Sequence, residues 1–145
     1  MIPRRLSAAL ILLLSVSTVA CSTENVAKTS DAQTLLKAIP PADPALYDRI
    51  QDMRKWRNPY LIVRGDGVAL LDSADSAEII LKTDQVLPAL AALPAAKWPY
   101  GRVVAVAEDT AKASEQDTVA IRRNKGIVGG VLQGAHIAIK WVLSG

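Results

Sequence analysis

The chain of 145 residues contains one histidine, one cysteine and no phenylalanine, and the scarcity of histidine and cysteine excludes several kinds of site. A site with several histidines, or with cysteine and histidine together, needs more ligands than His136 and Cys21 can supply. Cys21 also lacks a partner for an intramolecular disulfide. We therefore expect no metal site and no cofactor.

Motifs for catalysis are also missing. There is no Gly-x-Ser-x-Gly motif to join His136 in a Ser/His/Asp triad. The glycines within residues 126–130 match neither the dinucleotide fingerprint nor a P-loop. The acidic residues within 66–78 lack the spacing of a calcium loop and are interpreted as a solvated turn. We expect a protein that is not an enzyme, and the alternative is a small hydrolase-like enzyme that uses His136.

The charge balance argues against a nucleic-acid partner. The chain has 17 basic and 14 acidic residues, and two of the basic ones are Arg4 and Arg5. Without these two the remainder is almost neutral, whereas nucleic-acid binding requires a clustered basic face. We therefore expect no nucleic acid among the partners.

The first twenty residues have the pattern of a secretory signal. Arg4 and Arg5 are followed by the mostly apolar run 6–14, and small residues lead up to Cys21. The apolar run is shorter than the ~20 residues that a membrane-spanning helix needs. The pattern predicts a signal peptide over residues 1–20.

The end of this segment, Thr18-Val19-Ala20-Cys21, resembles the bacterial lipobox, in which the cysteine is acylated and becomes the first mature residue. Thr18 stands where that motif usually has leucine. The resemblance implies that lipid on Cys21 anchors the protein in the cell envelope, on the periplasmic side. Ser22, where inner-membrane lipoproteins have aspartate, implies the outer membrane. The alternative is that Cys21 is merely a small residue beside an ordinary cleavage site.

Residues 21–42 are polar and small and predict a flexible tether, which leaves residues 43–145 for one small α+β domain. Asp43-Pro44 begins a predicted helix that ends before Asn58-Pro59. Asp66-Gly67 joins two apolar runs in a predicted hairpin. The further predicted elements are a strand over 78–81, a helix over 84–93 capped by Thr83, a strand over 102–107, a helix or a hairpin over 118–133, and a strand over 136–143.

This order, α-ββ(β)-αβ-αβ, predicts a two-layer sandwich with a small mixed sheet and helices on one face. Within it, Trp98-Pro99-Tyr100 admits two interpretations. The two aromatic residues, Trp98 and Tyr100, are either an exposed binding edge or a cover for the end of a core that contains no phenylalanine.

The stretch from Leu61 to Leu143 resembles the periplasmic domain of the ExbD/TolR family. The similarity is carried by a strand–Asp-Gly–strand from Val63 to Val68, by a helix of the Val86–Leu93 kind, by the strand Val103–Val106 before Glu108-Asp109, and by a helix end at Val131–Ala135. The family has an N-terminal membrane helix with a functional aspartate, and this chain has no acidic residue before Glu24.

The resemblance therefore implies a fold and a periplasmic interaction role, without proton coupling. We expect an envelope lipoprotein that binds another envelope component, either protein or peptidoglycan. A structural lipoprotein without a discrete ligand is a further alternative.

Overall fold

The computed structural model describes residues 21–72 and 76–143, and the side chains of 21–23 and 25 are not described. The predicted signal segment 1–20 lies outside the described residues. The helices are α1 (Cys21–Leu36), α2 (Pro44–Tyr47), α3 (Val86–Ala91) and α4 (Glu115–Gly134). The strands are β1 (Tyr60–Val63), β2 (Val68–Leu71), β3 (Ile79–Leu81), β4 (Val103–Glu108) and β5 (Ala138–Trp141). Short 3₁₀ turns occupy Met53–Lys55, Thr83–Gln85 and Ala95–Lys97.

The five strands form one mixed sheet in the order β3-β2-β1-β4-β5. The β1–β2 and β2–β3 pairs are antiparallel, whereas β4 is parallel to both β1 and β5. The predicted α+β sandwich is confirmed. In this order β3 and β5 are the two edges of the sheet, and β4 is buried on both of its faces, as its apolar run predicts.

The main core lies between the sheet and three helices, α1, α3 and α4. Alternate residues of the central strands point into it, for example Leu61 of β1 and Val104 of β4, both fully buried. On the other face, the segment from Ala42 to Trp56 covers Val103 and Ala105 in a smaller cluster. The described chain thus has the predicted helical layer on one face and a partial cover on the other.

The predicted β hairpin is confirmed. Tyr60 pairs with Leu71 and Val63 with Val68, and the Arg64 N–H donates to the Gly67 carbonyl across the turn at 2.9 Å. The two loop residues are Gly65 and Asp66, one position before the predicted Asp66-Gly67 pair, and this two-residue turn sets the register because it places Val68 opposite Val63.

The first predicted helix is wrong beyond its first turn. Asp43 caps α2 as expected, but α2 ends at Tyr47 and only a 3₁₀ turn follows before Trp56. In a continuous helix these two aromatics would be nine residues and about 13 Å apart. Their ring centroids are instead 5.9 Å apart in an edge-to-face contact. The segment folds back because it can then bury both rings against the sheet.

The region 118–133, for which the sequence left helix and hairpin open, is helical. α4 begins at Glu115, earlier than the predicted Thr118, because Ser114 and Asp117 form a reciprocal capping box. Ile121, Val128 and Leu132 form its buried apolar stripe.

The helix predicted over 84–93 is also present, but Thr83 does not cap it. Residues Thr83–Gln85 form a 3₁₀ turn that leads into α3, and the N-cap of this turn is Lys82. The Lys82 N–H donates to the Gln85 side-chain oxygen at 2.8 Å. The side chain that accepts a hydrogen bond from the otherwise unpaired N–H at the start of this turn is therefore that of Gln85, not that of Thr83.

The stretch 21–42 does not have the form of the flexible tether that the sequence predicts. Residues 21–36 form α1, which packs against α3 and buries Ala32 and Leu36. Ile39 is buried as well, and the Pro40 carbonyl accepts a hydrogen bond from the Arg102 N–H at 2.8 Å. The folded unit therefore begins before residue 43. Among the described residues, no helix is both long and apolar enough to cross a membrane.

Candidate functional site

Trp98 and Tyr100 do not form an exposed edge. Trp98 is 3% exposed and belongs to the main core. Tyr100 is half-buried on the other face of the sheet, where its ring centroid lies 5.1 Å from that of Trp56 and its hydroxyl donates to the Lys55 carbonyl. The two residues cover the core, as the alternative interpretation states.

His136 is not part of the last strand, which begins at Ala138. It is exposed and has a left-handed backbone conformation, with φ +56°, immediately after α4. Within residues 21–72 and 76–143, its imidazole makes no hydrogen bond or ion pair, so no nucleophile or carboxylate is positioned beside it. His136 lies in the turn between α4 and β5, and this turn accounts for its backbone conformation.

Cys21 is the first residue of α1, but its side chain is not described. The structure therefore gives no geometry for lipid attachment. Nor do the described parts of the chain contain a cluster of three or more histidine, cysteine or acidic residues that could hold a metal ion.

One crevice lies where the parallel strands β1 and β4 end, which is a common ligand position in open α/β sheets. It is occupied by the chain's own ion pairs. Arg64 makes two hydrogen bonds to Glu78, at 2.8 and 3.0 Å, and a third to Asp109 at 3.2 Å. The hydrogen bonds to Glu78, foremost, raise the pKa of Arg64 above its ordinary value. Because its guanidinium is engaged on both sides, this crevice is poorly suited to bind a further anion.

A second concavity, the β5 groove, runs between the exposed side of α4 and the edge strand β5. Its volume is about 480 Å³. Its lining residues are Glu108, Arg122, Lys125, Gly126, Gly129, Gly130, Gln133 and Trp141. A Cβ added at Gly126 or Gly130 would meet nothing within 4 Å, so the groove is wide at these positions.

Trp141 forms one wall of the β5 groove and is held in place from two sides. Its ring lies against Gly129, where an added Cβ would be 3.9 Å from the indole. The Lys125 ammonium sits 4.7 Å from the ring centroid and also pairs with Glu108. The indole nevertheless remains 48% exposed. A fixed, half-exposed aromatic surface is typical of a protein-interaction site.

The backbone of β5 offers hydrogen-bonding groups beside this wall. The Ala138 N–H donates to the Arg102 carbonyl just before β4, and the Val142 N–H donates to the Val106 carbonyl of β4, each at 2.9 Å. These two amides mark the positions that face inward. Because the pattern alternates along a parallel pair, Ile139 and Trp141 direct their N–H and C=O groups away from β4. The groove therefore combines an aromatic wall with a row of outward backbone donors and acceptors.

Sequence reasoning placed Ile137, Ile139 and Trp141 on one face of the last strand, and this is confirmed. It did not single out Trp141 as a site residue. The glycines of 126–130 match no nucleotide motif, and the sequence alone does not assign them to a groove. The available signal is a tryptophan at the exposed end of an alternating strand. This signal indicates a binding surface only if β5 is an edge strand of the sheet.

Comparison of the chain with protein-family models, curated protein sequences and solved structures finds no match in any of the three. The resemblance to the ExbD/TolR periplasmic domain stays a prediction.

Proposed function

We propose that this protein is a cell-envelope lipoprotein, anchored through lipid on Cys21, whose domain binds an extended segment of another envelope protein without catalysis. The segment adds as a sixth strand beside β5. The observation that carries the proposal is the coincidence of outward backbone groups at Ile139 and Trp141 with the half-exposed indole of Trp141. Strand addition uses such main-chain groups for affinity and neighbouring pockets for specificity.

The geometry favours a polypeptide over a glycan strand of peptidoglycan. An extended peptide presents alternating N–H and C=O groups at the spacing of a strand, and these match the free edge of β5. An aromatic wall alone would also suit a sugar ring, so peptidoglycan fragments form a separate arm of the test.

The anchor is supported by the lipobox-like sequence before Ser22. Expression of the wild-type precursor beside Cys21→Ser tests it by intact mass and membrane fractionation. We expect a lipid-sized mass increase on a chain that begins at Cys21, lost in the variant. A wild-type protein that is unlipidated and soluble would overturn the anchor and leave the binding domain to be tested alone.

The binding site is tested with the chain from residue 21 onward. A random linear peptide library is panned on it, and the affinity of the selected peptide is measured by fluorescence anisotropy. Amide hydrogen exchange then locates the peptide. We expect slower exchange at Ile139 and Trp141 in the complex, and a clear loss of affinity in Trp141→Ala.

A matched pair of variants separates strand addition from side-chain packing. Ile139→Pro removes an N–H that does not face β4, whereas Ile139→Ala removes a similar amount of packing and keeps the N–H. We expect the proline variant to bind at least tenfold more weakly than the alanine variant. Equal affinities, protection confined to β3, or binding of muropeptides in place of peptides would overturn the proposal.

A further inference from the structure

We infer that the segment bound at β5 carries an acidic side chain that pairs with Arg122. This inference rests on the proposed function and names the chemistry of the partner. The charged side chains around the β5 groove differ in whether another side chain of this protein already neutralises them.

Two of the three charged residues that line the groove are already paired. Lys125 forms an ion pair with Glu108 and lies over the Trp141 ring. Arg122 is exposed, and within the described residues its guanidinium makes no ion pair or hydrogen bond. The groove therefore presents one uncompensated positive charge, which complements a carboxylate on an incoming chain. The planar guanidinium can hold that carboxylate with two parallel hydrogen bonds.

The position of Arg122 along the groove fixes which end of β5 the acidic residue occupies. α4 runs antiparallel to β5, because its end leads directly into the start of the strand while Lys125 lies over Trp141 at the strand's end. Arg122 is thus at the carboxyl end of β5, and Gln133 is at its beginning. The acidic side chain should lie beyond Trp141 and not beside Ile139.

The length of the groove sets how many residues of the partner segment it can contact. Arg122 and Gln133 are eleven residues apart on α4, which corresponds to about 16 Å along the helix axis. An extended chain advances about 3.3 Å per residue, so about five residues span this distance. The first, third and fifth of them point toward α4. The middle one faces the open space at Gly126 and Gly130 beside the indole, which favours an apolar side chain there.

The experiment uses fluorescein-labelled nine-residue peptides of alternating valine and threonine. Glutamate, glutamine or lysine is placed in turn at each position of the sequence, and binding is measured by anisotropy. At the position that faces Arg122, we expect glutamate to bind about fivefold more tightly than glutamine, as for a well-placed partly exposed ion pair. The preference should shrink at high salt.

Charge reversal provides the decisive comparison. In Arg122→Glu the preference should reverse, so that the lysine peptide binds more tightly than the glutamate peptide. Arg123→Glu makes the same change of charge at the next residue, which does not line the groove, and should keep the glutamate preference.

The outcomes separate this inference from the proposed function. If glutamate, glutamine and lysine peptides bind wild type equally, and Trp141→Ala still weakens all of them, strand addition stands and the acidic contact does not. An equal effect of Arg122→Glu and Arg123→Glu would also overturn the contact, because it would show that only the net charge of this side of α4 affects peptide binding. If no peptide binds at all, both the inference and the proposed function fail.

Discussion

The turn that ends α4 allows a substitution that should stabilise the protein, His136→Gly. The Ile137 N–H donates to the Leu132 carbonyl at 2.9 Å, and the His136 N–H donates to the Gln133 carbonyl at 3.0 Å. These two bonds define a Schellman motif in which His136 occupies the left-handed C′ position, with φ +56°. Glycine is the residue most often found there, because a Cβ is strained in this conformation.

The magnitude follows from two opposing terms. A left-handed conformation costs a residue with a Cβ about 1–2 kcal/mol. Glycine recovers that amount but gives up about 0.4–1 kcal/mol through the greater freedom of the unfolded chain. Because His136 is exposed and its side chain makes no described contact, little else is lost. We expect His136→Gly to raise the free energy of unfolding by about 0.5–1 kcal/mol.

Equilibrium unfolding in urea measures this change. With a slope of about 2 kcal/mol per molar urea, the middle of the usual range, the midpoint should rise by roughly 0.3–0.5 M. His136→Ala is the control, since it removes the imidazole but keeps the Cβ, and it should not be stabilised. If alanine stabilises as much as glycine, the backbone conformation is not the cause. If glycine destabilises, the imidazole has a packing or bonding role and the reasoning fails.

Two further predictions use the same chain. Trp98→Ala should lower the free energy of unfolding by about 3–5 kcal/mol, because the Trp98 indole is packed in the core. Trp141→Ala should lower it much less, because Trp141 is half-exposed. Comparable losses for the two variants in urea unfolding would contradict the assignment of Trp141 to a binding surface. Hydrogen bonds from the Ser114 side chain, foremost, and backbone hold the pKa of Asp117 below its ordinary 3.8. The ionised carboxylate is therefore favoured by folding, and its contribution is complete above pH 3.8 and declines as the pH falls through the lower folded-state value. An NMR titration of the Asp117 carboxyl should show this lower midpoint in wild type and a midpoint nearer 3.8 in Ser114→Ala, and an unchanged midpoint would refute the hydrogen-bond cause.

The individual strands could be predicted because local sequence determines them. Apolar runs bounded by Asp66-Gly67 and by polar segments specify short strands, and these were placed to within one or two residues. The Ser114 capping box starts α4 three residues before its predicted beginning, and the sequence contained that signal as well.

The two errors at the amino-terminal side have a tertiary origin. α1 has few apolar positions, so its sequence predicts a solvated segment, yet Ala32 and Leu36 are enough to dock it on α3. The apolar residues from Leu46 to Trp56 have helical spacing, but a continuous helix would hold Tyr47 and Trp56 apart. A reversal of the chain brings their rings into contact. Neither competing contact is visible in a window of neighbouring residues.

The candidate site could not be predicted for a related reason. Whether Trp141 lies at a free edge or inside the sheet depends on strand order, which brings β4 between β1 and β5. The same alternating sequence would be buried in a central strand. The pairing of Lys125 with Glu108, which leaves Arg122 as the uncompensated charge, likewise depends on α4 lying over the end of β4.

The helical form of α1 also constrains where a partner of an anchored protein can be. From buried Ala32 back to Cys21 there are eleven residues, which span about 16 Å as a helix and about 36 Å as an extended chain. With lipid attached at Cys21, as we propose, the docked helix limits the maximum distance between Ala32 and the membrane surface to less than half that of a fully extended chain. A protein that is itself at or near that membrane can present a segment to β5 within this reach. The partner that we propose, an envelope protein with an exposed strand-forming segment close to the lipid surface, fits this constraint.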